Sequence, residues 1–196
     1  MKKKPKLPFI KYSYFLELVF FLCEFRIKNL LYVLLSFFFV GMAYRTSTSL
    51  ISAGQHLLLL SSDATVYSYG FSRYGILGHE EESILKPTVI PLLENIKSIF
   101  LSGTHSVCLD VDGNVFTFGI NIHGQLGVSI DRRSTHIPQK VNLPSCKEVS
   151  CGANFTICLS ADGFVYSFGY NNYGQLGLGN NENYYSPQIN IFIKRC

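Results

Sequence analysis

From Leu50 onward, short apolar runs alternate with glycine-rich and polar breaks, and the whole pattern recurs three times. Val66-Tyr67-Ser68-Tyr69-Gly70, Val115-Phe116-Thr117-Phe118-Gly119 and Val165-Tyr166-Ser167-Phe168-Gly169 alternate apolar and small polar residues. That spacing, with β-branched and aromatic members, predicts a half-buried strand in each copy. Upstream, Leu58-Leu59-Leu60, Val107-Cys108-Leu109 and Ile157-Cys158-Leu159 predict a second. Asp112-Gly113 and Asp162-Gly163 join the two, which predicts a type I′ hairpin with positive φ at both central residues. Copy one has Asp63-Ala64 there; a Cβ disfavours positive φ, so a looser hairpin or another turn is expected. Ile96 to Leu101 and Lys147 to Cys151 supply a further strand. The last strand is expected to start at Pro87, Pro138 and Pro187, where no ladder donor is needed. Four antiparallel strands per unit is the plan of a propeller blade. A helical solenoid would need apolar residues at i, i+3 and i+4, which this region lacks.

Within each unit stands Gly-x-Leu-Gly: Gly75 to Gly78, Gly124 to Gly127 and Gly174 to Gly177, with first glycines 49 and then 50 residues apart. A fixed period of this size marks one structural unit copied in tandem, and such arrays work through the surface they present. Leu77, Leu126 and Leu176 are expected to point into the core while the backbone bends on either side. Gly70, Gly119 and Gly169 close a strand where the chain turns; turn geometry accounts for all these glycines, including Gly113 and Gly163.

Ahead of the second strand the copies read Gly54-Gln55-His56, Gly103-Thr104-His105-Ser106 and, divergently, Ala153-Asn154-Phe155-Thr156. After the third strand come Asn121-Ile122-His123-Gly124-Gln125-Leu126-Gly127 and Asn172-Tyr173-Gly174-Gln175-Leu176-Gly177. These elements resemble the regulator of chromosome condensation repeat family over about Leu50 to Phe192. That family's tryptophan is missing; Tyr69, Phe118 and Phe168 occupy its place. The resemblance implies a β-propeller, typically of seven blades. The expected fold is all-β, a partial propeller of about three four-stranded antiparallel blades behind an apolar helical segment. The units are 1–48, then repeats 49–98, 99–148 and an incomplete 149–196. Three blades cannot close a ring, so open edges are expected, with a last strand from Ile189 to Ile193 lacking its partner. That count leads to the expectation of a fragment, a truncated or divergent product, or a part needing other blades.

Residues 1–48 contain no further copy: shifting copy one back by a period places Gly70 on Phe21 and Gly78 on Asn29. Tyr12 to Cys23 and Leu30 to Ala43 are apolar, separated by Glu24, Arg26 and Lys28. As a helix the second run reaches about 21 Å, short of a hydrocarbon core of about 30 Å. Lys2, Lys3, Lys4, Lys6 and the small-residue exit at Gly41-Met42-Ala43 resemble a signal sequence, but two apolar runs are too long for one. A signal anchor or short membrane hairpin over 12–44, with its lysines cytosolic, is the functional expectation. The alternative is a buried extension, or one belonging to an incomplete gene product, with a cytoplasmic chain. Charge agrees with this division: eight Lys/Arg and two Asp/Glu make residues 1–48 +6, against nine and eleven, −2, for the rest. The repeats have no clustered basic face, so no nucleic-acid partner is expected.

No catalytic or cofactor site is expected. None of Cys23, Cys108, Cys146, Cys151, Cys158 and Cys196 forms Cys-x-x-Cys, which argues against zinc. Cys108 and Cys158 read as small buried apolar residues, and Cys146 and Cys151 as a pair able to approach each other. His56 and His105 are position-equivalent and sit in different blades, so each is expected to make a structural hydrogen bond. Asp110 and Asp112 flank a turn, no phosphate-cradling loop precedes a helix, and the acceptor-like Asn154-Phe155-Thr156 falls at a core strand. The expected function is a non-catalytic protein-interaction module with contacts on the loops 79–86, 128–137 and 179–186. The resemblance implies one alternative, guanine-nucleotide exchange on a small GTPase, done by loops without covalent chemistry. The variable segments are short for it, and no exchange residues carry over to matching positions.

Overall fold

The computed structural model describes residues 47–53, 56–71, 73–129 and 133–193. The apolar segment 12–44 and Gly54 lie outside them. Among the described residues no helix is long and apolar enough to cross a membrane.

The described chain forms twelve strands in three sheets. Blade 1 holds β1 (Ser47–Ala53), β2 (His56–Ser61), β3 (Val66–Phe71) and β4 (Ser83–Val89). Blade 2 holds β5 (Ile96–Leu101), β6 (His105–Asp110), β7 (Val115–Ile120) and β8 (Ser134–Lys140). Blade 3 holds β9 (Cys146–Cys151), β10 (Phe155–Ser160), β11 (Val165–Gly169) and β12 (Tyr184–Ile189). Each sheet is an antiparallel meander in chain order. Strands β5 and β9 run across 98/99 and 148/149, so the sheets begin slightly earlier than the repeat units drawn from sequence.

Central strands β2 and β6 are buried along their whole length, which requires cover on both faces. Leu58, Leu60, Val66 and Ile90 of blade 1 pack with Ile99, Cys108 and Phe118 of blade 2. Val107, Leu109, Val115 and Val141 of blade 2 pack with Cys146, Val149, Cys158 and Phe168 of blade 3. The core therefore lies between neighbouring sheets, and each blade has a leading side toward the one before and a trailing side toward the one after.

Three local expectations are corrected. The hairpins are not type I′. The amide of Gly113 bonds the Asp110 carbonyl (3.2 Å) and that of Gly163 the Ser160 carbonyl (3.0 Å), and only the glycine enters the left-handed region. This is a type I turn followed by a left-handed residue, the common longer hairpin loop. Copy one makes the same turn: Ala64 takes φ 64° and its amide bonds the Ser61 carbonyl at 3.1 Å. The loop is held by the hydroxyl of Ser61, which donates to Asp63 and to the Thr65 carbonyl. Since alanine at positive φ is strained, Ala64→Gly is expected to raise stability by about 0.5–1 kcal/mol, read as a higher urea midpoint.

The fourth strands do not start at proline. Ser68 faces Thr88 and Gly70 faces Ile84, so three residues including Pro87 bulge opposite Tyr69. The same shift occurs between Thr117 and Gly119 and between Ser167 and Gly169. Proline fits inside an edge strand because the bulge removes the need for its amide. Finally, β12 ends at Ile189 and is paired with β11. Asn190 stops the strand there, its side-chain oxygen accepting from the amides of Phe192 (3.0 Å) and Ile193 (3.1 Å).

Candidate protein-interaction surface

The repeat signature builds a joint between successive blades. The first glycine of Gly-x-Leu-Gly lies beneath the next blade's bulge. A Cβ on Gly75 would stand 2.6 Å from the amide of His136, and one on Gly124 2.5 Å from the carbonyl of Tyr184. The second glycine receives the next blade's aromatic ring: a Cβ on Gly127 would meet Phe168 at 2.5 Å, and one on Gly78 would meet Phe118 at 3.3 Å. Phe118 and Phe168 are accordingly buried, whereas Tyr69, which no earlier copy in this sequence precedes, is half-buried. Leu77, Leu126 and Leu176 are buried between their glycine pairs.

Polar residues fix the same joint. Ser106 donates to the Ile76 carbonyl (2.7 Å) and Thr156 to the Gln125 carbonyl (2.9 Å), each reaching back one blade. The histidines reach forward: His56 Nε2 lies 3.2 Å from the Ser102 carbonyl, and His105 Nε2 2.9 Å from Thr156 Oγ1. Because Thr156 spends its proton on Gln125, His105 donates through Nε2, while Ser102 Oγ lies 2.9 Å from Nδ1 and 3.0 Å from the His105 carbonyl. Burial holds the pKa of the ring down at about 4, so it is neutral at pH 7. Burial lowers that of His56 as well.

The unfolded chain binds this proton near pH 6.5 and the folded chain only near pH 4. Stability is therefore expected to fall as pH drops across that window, by about 3 kcal/mol from His105 alone. Urea titrations at pH 7 and pH 4.5 check this; His105→Asn should flatten the dependence, and an equal slope in both proteins would refute it.

Blade 3 departs from the pattern in two coupled positions. Gly152 replaces Ser102 and Phe155 replaces His105, and the Phe155 ring occupies the space where a Cβ on Gly152 would sit. Gly103 by contrast has open space around it.

Sequence reasoning missed the side chains that hold each loop. Asn121 Oδ1 accepts from Leu126 N (3.0 Å) and Asn171 Oδ1 from Leu176 N (2.9 Å). Gln125 and Gln175 accept from the amides of His123 and Tyr173, both at 3.0 Å. Thr117 and Ser167 donate to the Leu126 and Leu176 carbonyls at 2.8 and 2.9 Å. Their in-phase recurrence was the available signal. The cysteine expectation is also corrected: Cys146 and Cys151 stand at opposite ends of β9, about 16 Å apart, too far for a disulfide. The neighbour of Cys146 is Cys158, and both are buried. Among the described residues no group of three or more His, Cys, Asp or Glu is placed to hold a metal.

Loops braced in this way display aromatic side chains. Tyr173 is 86% exposed, and Tyr74, at the equivalent position of blade 1, 54%. Tyr170 links His123 (ring centroids 4.8 Å apart) to Tyr173 (6.1 Å). Exposed Tyr185 donates across the blade boundary to the Ile122 carbonyl at 2.7 Å, beside exposed Ile122. The strip Ile122, His123, Tyr170, Tyr173 and Tyr185 spans blades 2 and 3, mixing apolar area with polar tips. In blade 1 the segment 79–82 is acidic and exposed at Glu80, Glu81 and Glu82.

Comparison with known proteins agrees with this architecture. The profile of the regulator of chromosome condensation (RCC1) repeat matches residues 63–109, 112–159 and 162–195, and a second profile of that repeat matches 146–175. This chain belongs to the regulator of chromosome condensation repeat family. Each matched RCC1 repeat starts at the hairpin before the third strand of one blade, and the first two continue through the second strand of the next. The repeat is therefore out of phase with the sheet and ties neighbouring blades covalently.

Yeast RCC1 (Prp20) bound to Kap60 superposes with TM-score 0.68 at 23% identity, covering 74% of this chain and 37% of that one. Prp20p of Saccharomyces cerevisiae, studied for binding to Gsp1p and histones, gives 0.67 at 24%, covering 74% and 38%. Human WBSCR16 gives 0.65 at 22%, covering 73% and 37%. At these identities the likeness shows the fold alone, and this chain spans well under half the length of each. No curated protein sequence matches.

Proposed function

We propose that this chain is a non-catalytic protein-interaction module of RCC1 repeats, and that it binds through the aromatic strip from Ile122 to Tyr185. The observation that carries this reading is the Tyr173–Tyr170–His123 ring series, exposed at Tyr173 and half-buried at Tyr170 and His123, beside exposed Tyr185, on loops braced by buried Asn121, Gln125 and Asn171. Tyrosine supplies contact area at low entropic cost, and a rigid loop loses little freedom on binding. The strip contains no Lys, Arg, Asp or Glu, which suits a folded protein partner better than a polyanion.

The similarity to Prp20p makes Gsp1p-like GTPases and histones the first candidates. The test is binding of the full chain to each by interferometry, beside its Tyr173→Ser/Tyr185→Ser variant. Binding weakened at least tenfold in the variant is the expected result; equal binding by both proteins would refute the strip as the site. Nucleotide release from the GTPase is followed in the same samples. Acceleration by catalytic amounts of the chain would replace this reading with that of an exchange factor.

A further inference from the structure

Cys146 and Cys158 form a hydrogen-bonded pair of thiols that the interaction surface does not use. Cys146 opens β9 opposite Ser160, and Cys158 lies two residues away on the same face of β10. Both side chains sit in the core between blades 2 and 3, with Val115, Val141 and Phe168. Their positions are unequal. Cys158 is fully buried inside its strand, whereas Cys146 lies just beneath the surface between exposed Ser145 and Lys147. As a thiol, Cys146 donates to the Pro144 carbonyl (3.2 Å) and accepts from Cys158. The hydrogen bond from Cys158 and the Lys97 ammonium of blade 2 draw the Cys146 thiol below its ordinary pKa, against the opposing effect of burial. The same hydrogen bond, together with burial, pushes Cys158 far up. Burial alone raises Cys108 and Cys151.

We propose that Cys146 and Cys158 are an oxidative modification site, which a hydroperoxide closes to a disulfide within blade 3. Cys146 is the attacking thiol, because the thiolate is the nucleophile and only this member of the pair is near the surface. Its sulfur attacks the terminal peroxide oxygen and the O–O bond breaks. Hydrogen peroxide leaves one water, and Cys146 becomes a sulfenic acid. The Cys158 sulfur then attacks the Cys146 sulfur and displaces hydroxide, which leaves as a second water with the Cys158 proton. Two thiols lose two electrons in all, and one peroxide is reduced. In a regular ladder such diagonal neighbours stand about 7–8 Å apart at Cα, at the outer limit for a disulfide. The bulge takes up the closure. Lys147 is the extra residue opposite the step from Leu159 to Ser160, so Cys146 can move without shifting the ladder from Glu148 onward.

The test exposes the folded full chain to hydrogen peroxide and follows the thiols by non-reducing peptide mapping. Chymotrypsin after trypsin cuts at Phe155 and so separates Cys151 from Cys158. A linked Cys146–Cys158 peptide is expected, formed at least tenfold faster than any oxidation of Cys108 or Cys151. Dithiothreitol should restore both thiols. Cys158→Ala should leave Cys146 as a sulfenic acid that dimedone traps, and Cys146→Ala should leave Cys158 unmodified. Should Cys158→Ala fail to fold by circular dichroism, Cys158→Ser serves in its place. Oxidation of Cys158 and fully buried Cys108 at one rate would overturn the proposal, since both thiols would then react only through unfolding. So would a folded protein that forms no link, or one that joins Cys146 to another cysteine instead. Tyr173→Ser/Tyr185→Ser should form the link at the wild-type rate, which keeps this site separate from the aromatic strip.

Discussion

Replacing Phe168 by alanine is expected to lower the free energy of unfolding by about 3–5 kcal/mol. The ring is fully buried in the core between blades 2 and 3 and lies directly over Gly127, whose missing side chain makes its space. On the Gly127 side the wall is backbone, which has no side chain to move into the hole. A loss of that size is a large share of a typical domain's stability of about 5–15 kcal/mol. The half-buried Tyr69, at the same position of blade 1, provides the internal control: Tyr69→Ala should lose less than half as much. Urea unfolding measures both. A loss below about 1 kcal/mol at Phe168 would mean that the ring does not join the blades.

The second large effect is at Gly124. Its φ is +85°, and an added Cβ would press on the backbone of Tyr184 and Tyr185 in the next blade, which has no side-chain freedom to yield. Strain at positive φ and overpacking together predict a loss of about 2–4 kcal/mol for Gly124→Ala. Gly103→Ala is the matched control. That glycine has open space and no positive φ, so its substitution should stay within about 0.5 kcal/mol of wild type. Similar losses at the two glycines would remove the close approach as the cause.

The period of Gly-x-Leu-Gly and the alternation around Val115 and Val165 made the strands and their antiparallel order legible in the sequence, because both depend on neighbours close along the chain. What could not be read depends on partners about a period away. Thr156 looks like an ordinary strand residue until it is seen bridging His105 to the Gln125 carbonyl. Cys146 meets Cys158 and not Cys151 because β10 lies beside β9, with Ser160 opposite Cys146 and Cys158 two residues away on the same face. Pro87, Pro138 and Pro187 pointed to strand starts because a bulge on an edge strand leaves no local mark. The aromatic strip was missed for a similar reason. Its side chains come mostly from the repeat's own Asn-x-x-Gly loops, whereas Tyr185 lies within 179–186, one of the variable loops expected to carry contacts.

The central claim is that the repeat signature joins one blade to the next. A double-mutant cycle between His105 of blade 2 and Thr156 of blade 3 tests it most directly. His105→Ala, Thr156→Ala and the double variant are compared by urea unfolding at pH 7.5, where the imidazole is neutral in both states. The interblade bond predicts a coupling energy of about 1–3 kcal/mol. Additive losses, with coupling indistinguishable from zero, would contradict it.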